Sequence, residues 1–263
     1  MQDLTNALRM DLRRAFCSPR FFIAIAALVF LNFFSIWQEL SLGGSATDVL
    51  YYFDTFMLNG SFTLVAILLS IFPFSNSFCS DWNNKYILVC VIRSSQRAYA
   101  WSKIIVSSLS SFCVILIGYS LSVLALASKM ALLNPLSGNH EYYINSTFGE
   151  LLAISPCLFI LVKILIYGVF CSCWSVFSLW ISTRISNIFV TLAFPIITYY
   201  AVINVMYNLQ FPIYLRLNIL VRGDVNLGTP INSFLYTILV FLVCIVIFGV
   251  LFAKNVKRRL AGE

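Results

Sequence analysis

Apolar positions in this chain gather into six long runs: Phe21–Trp37, Ser61–Cys79, Ile104–Ala127, Leu151–Ser182, Ile185–Tyr207 and Ser233–Ala253. A helix needs about 20 residues to cross a hydrocarbon core of ~30 Å. The first run is slightly short, and the fourth is too long for one upright crossing. Each is predicted helical, because backbone groups facing lipid have no water to bond. The alternation of an outer-membrane barrel is absent. The chain therefore reads as one all-α, polytopic membrane domain over 1–263 with six transmembrane helices.

The segments between the runs are patterned too. Residues 1–20 place Leu4, Leu8, Leu12, Ala15 and Phe16 on one helical face, with Asn6, Arg9 and Arg13 opposite. That pattern predicts an amphipathic helix in the headgroup plane, its arginines toward anionic lipid. Pro19 then breaks it by disfavouring helical geometry at Ser18. Residues 208–232 alternate apolar positions with Arg216, Arg222 and Asp224 and carry Pro212, Gly223, Gly228 and Pro230. One or two short helices dipping into the outer leaflet are expected there, with an ordinary folded loop as the alternative.

The segment 80–103 is the least ordinary. Asp81–Ile92 predicts a helix of about twelve residues, roughly 18 Å long at 1.5 Å per residue. Its first half is polar and its second half, Tyr86–Ile92, is apolar all round. Seven apolar residues cannot span a bilayer, and their exposure to water would be a liability. The segment calls for a partner or for burial among the chain's own helix ends. Ser94 or Ser95 is placed to cap the next helix, and Tyr99, Trp101 and Lys103 mark the headgroup level.

Charge orients this layout. Hydrophobic residues make up 60% of the chain and charged residues only 10%, too few to cover a water-soluble surface. With both termini in the cytoplasm, thirteen of the seventeen cations fall inside: Arg9, Arg13, Arg14, Arg20, Lys85, Arg93, Arg97, Lys103, Arg184, Lys254, Lys257, Arg258 and Arg259. That is a strong positive-inside bias, and six of the ten acids fall outside. The net +7 is thus a topology signal, and a nucleic-acid partner is not expected. Gly44-Ser45-Ala46 resembles a signal cleavage site, but the basic leader of about 20 residues is long for a signal peptide.

Inside the runs the polar residues are few. Ser107, Ser108, Ser110 and Ser111 open the third run, and small hydroxyl residues let membrane helices approach and hydrogen-bond. Lys163 lies within the fourth run, where mid-bilayer burial would cost at least ~2.5–3.5 kcal/mol. Ile164–Thr183 suffices to reach the inner side, so Lys163 is expected at the outer headgroups, after a shallow outer helix (Glu150–Val162) broken at Pro156. A lysine facing a polar cavity is the alternative. Lys163, Asn76 and Asn204 are the candidate translocation-path residues, and Pro73 and Pro195 are the expected kinks. Cys171 and Cys173 point to different helix faces without His or carboxylate ligands beside them, and the eight cysteines read as small hydrophobes. With one histidine, His140, in an outer loop, and no G-x-x-x-x-G-K-[ST] loop, no catalytic site, cofactor site or metal site is expected.

Two stretches carry a resemblance. "LRMDLRRAFCSPRFF" (Leu8–Phe22) and "IRSSQRAYAWSKI" (Ile92–Ile104), with six spans and a long outer segment before the last, resemble the ABC transporter type-2 permease family. The likeness is architectural over the whole chain and sequence-level over about 40 residues. The loop departs from the family pattern at Asp81-Trp82-Asn83-Asn84-Lys85, where an acid is usually followed by Arg/Lys-Gly-Thr. Asn83 or Asn84 is expected to take the left-handed turn that glycine would otherwise supply.

The resemblance implies a non-catalytic exporter subunit in a bacterial cytoplasmic membrane. It would pair with a second permease chain, identical or a sister, and dock two cytoplasmic ATPase subunits that hold the ATP and Mg. Asp81–Ile92 would be the coupling helix, with Asp81, Trp82, Lys85, Tyr86, Val89, Arg93 and Arg97 toward the ATPase. ATPase closure would tilt spans one, two and five. An amphipathic cargo, such as an antimicrobial peptide, drug or lipid, is the implied substrate. The rival expectation is a scaffold or sensory subunit whose loop docks a cytoplasmic signalling protein, without transport.

Overall fold

The computed structural model describes residues 2–42, 48–58, 60–134 and 140–262, with the side chains of 2, 41, 42, 58, 60, 61 and 93 outside the description. Among the described residues the chain is helical and has no strand. It begins with α1 (Gln2–Phe16) and α2 (Pro19–Ser35), joined where Ser18 is extended and Pro19 opens the second helix. There follow α3 (Trp37–Leu42), α4 (Val49–Leu58), α5 (Gly60–Ile71), α6 (Ser77–Asn83) and α7 (Tyr86–Arg93). The long α8 (Gln96–Ala127) leads to α9 (His140–Ile144), α10 (Gly149–Ile154) and α11 (Pro156–Ser182). The chain closes with α12 (Ile188–Asn208), a 3₁₀ turn (Ile213–Leu215), α13 (Leu217–Arg222) and α14 (Pro230–Ala261).

Four of these, α8, α11, α12 and α14, are long and apolar enough to cross a membrane. Two bent pairs raise the number to six if each is one span: α1 with α2, bent by 48°, and α4 with α5, bent by 77°. The chain is thus built as a membrane-embedded helical protein.

Helix α11 is the axis of the bundle and packs against α8, α14, α12 and α5. A train of aromatic contacts follows it. Tyr167 meets Tyr119 of α8 at 5.5 Å, Phe170 meets Phe241 of α14 at 5.5 Å, and Trp174 meets Tyr199 of α12 at 5.7 Å. Gly168 permits the close approach to α8, since a Cβ there would lie 2.8 Å from the Phe112 ring. Helices α12 and α14, by contrast, turn most of their length outward.

Several expected boundaries shift. The run Ser61–Cys79 is not one helix: α5 stops at Ile71, and Pro73 sits in the turn before α6, where it cannot continue the hydrogen-bond ladder. Pro195 lies inside α12, which runs through it unbroken. Residues 49–58, between the first two expected spans, form α4. Its start is capped by the Asp48 carboxylate, which accepts from Tyr51 N at 2.8 Å, and Leu50, Phe53 and Phe56 are buried. In the fourth run the break falls at Ser155–Pro156, and α11 then continues through Lys163. The outer segment forms a short 3₁₀ turn and α13, with Leu220, Val221 and Val225 buried in the main core.

Candidate functional site

The segment 77–103 meets α1 at one end of the bundle through a buried ionic cluster. On α1, Ala7, Asp11 and Ala15 recur every four residues and are buried, so the small residues let α1 approach α8 closely. Leu8, Leu12 and Phe16 flank that stripe and pack with Ala15, Phe74 and Val106. Asp11 therefore lies in the contact, 1% exposed. Lys103 of α8, 0% exposed, meets it at 2.9 Å and meets Asp81 of α6 at 2.8 Å. Arg14 reaches Asp81 Oδ1 at 2.8 Å.

The remaining acceptor capacity is filled. Tyr99 donates its hydroxyl to Asp81 Oδ2 at 3.0 Å, and Ser102 donates to Asp11 Oδ2 at 2.7 Å. The Lys103 ammonium also lies over the Phe74 ring, 4.9 Å from its centroid. Two carboxylates thus face two cations, so the cluster is neutral. Desolvation of buried ions costs several kcal/mol each, roughly, and is offset only when geometry and hydrogen bonding are complete, as here. Burial pushes the Asp81 carboxyl up, but Lys103 and Arg14 outweigh it and hold the group below the ordinary value.

This arrangement revises the reading of two cations. Arg14 does not face headgroups with Arg9, Arg13 and Arg20, which are exposed; Asp81 draws it inward. Lys103 does not face headgroups, because two carboxylates enclose it. Asp81 likewise turns into the protein, where it ties α6 to α1 and α8.

The expected helix Asp81–Ile92 is two helices. The left-handed residue between α6 and α7 is Lys85, at φ 57°, and neither Asn83 nor Asn84 takes that conformation. Asn83 instead donates to Ser186 O at 3.2 Å. Ser95 caps α8, accepting from Ala98 N at 3.2 Å. Helix α7 is amphipathic in place. Ile87 and Cys90 pack with Tyr99, Ile104, Leu179 and Phe252, while Tyr86, Leu88 and Val89 are exposed and Ile92 is 85% exposed. Part of the apolar segment is thus buried by the chain itself and part is not. Arg93 ends α7, and its side chain lies outside the described residues; Lys85 and Arg97 are exposed. A cavity of about 260 Å³ lies between α1, α7 and α8, walled by Ala7, Met10, Tyr86 and Cys90 with Asp11 and Tyr99 among its lining.

The C-terminal helix braces the other side. Arg259 lies over the Trp82 ring, 4.9 Å from its centroid, and bonds Ser186 Oγ and Arg184 O. The basic cluster at the end of α14, counted above among the inside cations, therefore also fastens α6 and the α11–α12 turn.

At the opposite end, Lys163 is buried and lies 3.8 Å from Asp54 and 3.7 Å from Asp224. It ties α11 to α4 and to the segment after α13. Asn76 is buried before α6, and Asn204 faces outward on α12, bonding Tyr200 O. Lys163, Asn76 and Asn204 are not brought together. The serines of the third run meet a partner set of their own, with Ser75, Ser107 and Ser175 hydroxyls 2.7 to 3.1 Å apart and buried. That is the helix-packing role expected of them. All eight cysteines are free, and no group of three or more His, Cys, Asp or Glu residues suited to a metal occurs among the described residues.

Asp11, Ser102 and Ser186 are the site residues that sequence reasoning missed. The signal for Asp11 was its spacing: four residues from Ala7 and Ala15 and three before Arg14. In comparison with known proteins, no family model, curated protein or solved structure matches the chain.

Proposed function

We propose that the chain is the membrane subunit of an ATP-driven exporter of the ABC type-2 permease kind, with α6–α7 as its coupling element. In this reading α1 with α2, α4 with α5, α8, α11, α12 and α14 make the six-span layout, and both termini lie in the cytoplasm. A separate ATPase carries ATP and Mg, and a second permease chain completes the transporter. The cargo is amphipathic and moves outward.

The observation that carries the reading is the contrast within α6–α7. Its inner side is fixed by Asp81–Lys103–Asp11 and by the Trp82–Arg259 contact, while Tyr86, Leu88, Val89 and Ile92 stand exposed. An exposed apolar strip on a rigid mount fits a protein groove better than water. It transmits a push to α1 and α8 because the salt bridges join all three. Pull-down of the tagged chain in mild detergent is expected to recover an ATPase, and Tyr86→Asp with Val89→Asp is expected to release it while leaving the membrane protein folded. Recovery of no ATPase, or undiminished recovery with the double variant, would sink the reading.

A further inference from the structure

A concave pocket of about 450 Å³ opens at the same end of the bundle, lined by Thr183, Arg184, Asn255, Arg258 and Arg259. Three arginines line it, and the ion pairs among the described residues involve other cations, Arg14, Lys103 and Lys163. A solvated charge run would leave its arginines unorganised, but two of these are held. Asn255, which is buried, turns its amide oxygen toward Trp180 Nε1, Thr183 Oγ1 and Arg184 Nε, at 3.1, 3.0 and 3.1 Å. Arg259 uses one N–H on Ser186 Oγ and another on Arg184 O and is stacked over Trp82. Its remaining donors have no partner among the described residues, and Arg258 makes no hydrogen bond or ion pair there.

We propose that this pocket binds the phosphate of an anionic phospholipid headgroup. Guanidinium groups are the side chains suited to a phosphate's planar, forked recognition, and juxtamembrane cations gain from an anionic leaflet. The surroundings favour a lipid over a free phosphate. The apolar run of α14 ends at Ala253, one turn before Arg258. Leu251 and Ile247 stand two and three turns earlier on the Arg258 face, the first half-buried and the second exposed. Ile185 and Phe189, beside Arg184 at the start of α12, are exposed as well. Acyl chains would lie along these surfaces with the head in the pocket. The inference rests on the membrane reading and is independent of the export reading.

The test uses the full chain in detergent, measuring retention of phosphatidylglycerol by native mass spectrometry against phosphatidylcholine, with inorganic phosphate as competitor. Wild type is expected to retain phosphatidylglycerol selectively, Arg258→Gln to weaken it about tenfold, as for a lost charge-assisted contact, and Lys257→Gln, off this face, to leave it unchanged. Equal retention of both lipids, equal loss in Lys257→Gln, or no loss in Arg258→Gln would overturn the proposal. Displacement by inorganic phosphate at the lipid's own concentration would overturn the lipid assignment in favour of a free-phosphate site. Should Arg258→Gln fail to fold, acyl-diazirine phosphatidylglycerol on wild type decides: labelling is expected at Ile185, Phe189 or Ile247, and labelling confined elsewhere overturns the site.

Discussion

Lys103 Nζ lies 2.8 Å from Asp81 Oδ2, with both side chains almost wholly buried. This pair joins the start of a long membrane helix to the short helix before α7. Removing one partner leaves the other charged and desolvated. Lys103→Ala is expected to destabilise the protein by about 3–5 kcal/mol, because it leaves two buried carboxylates, Asp81 and Asp11, to share the single cation Arg14. Changing Asp11, Asp81 and Lys103 together to apolar residues of similar volume is expected to cost less than Lys103→Ala alone. Thermal unfolding in detergent distinguishes these outcomes, and a triple variant less stable than the single one contradicts the ionic account.

The same pair sets an acid limit. Asp81's folded carboxyl lies below its ordinary value of 3.8, so the folded state binds its proton less readily than the unfolded chain. The resulting stability is present in full above the ordinary value and is lost as pH falls below it toward the folded value. Stability attributable to Asp81 is therefore expected to stay level from pH 7 to about 5 and to fall below about 4. Asp81→Asn should lose that part of the acid slope, read by melting at a series of pH values.

At the other end, Lys163→Met is predicted to be more harmful than its isosteric shape suggests. It leaves Asp54 buried near Asp224 with its nearest cation gone. A loss of roughly 2–4 kcal/mol is expected, with most of it restored by adding Asp54→Asn. Failure of that second change to rescue the melting temperature would mean that Lys163 serves packing alone.

Ser175→Ala is expected to cost only about 1 kcal/mol. Ser75 and Ser107 remain 3.1 Å apart and keep each other as partners. Ser175→Val, in contrast, adds volume where α8, α11 and the turn before α6 meet and should cost about 1–3 kcal/mol. The ordering of the two variants by urea or thermal melting is the informative result.

Helices α8, α12 and α14 were legible in the sequence because each is a long uninterrupted apolar run, and the breaks at Ser18–Pro19 and before Pro156 because proline restricts the residue before it. Helix α4 was not legible. Its ten residues are too few for a span and include Asp54, whose partner Lys163 lies 109 positions away. The division of 77–93 into two helices was hidden for a different reason: Lys85 takes a left-handed conformation that its residue type does not announce. At the candidate site, the exposed Tyr86 and Val89 and the Ser95 cap followed from local pattern. The inward turn of Arg14 did not, since its direction depends on Asp81, 67 residues on.

Asp11 and Lys103 are separated by 92 positions, and that distance imposes an order of assembly. When α1 leaves the ribosome, neither Lys103 nor Asp81 has yet been made. The helix can form early, but its carboxylate must remain hydrated until the start of α8 has been synthesised and brought alongside. Docking of α1 is therefore a late event of biogenesis, and it closes over α6 and α7 only after both carboxylates have found their lysine.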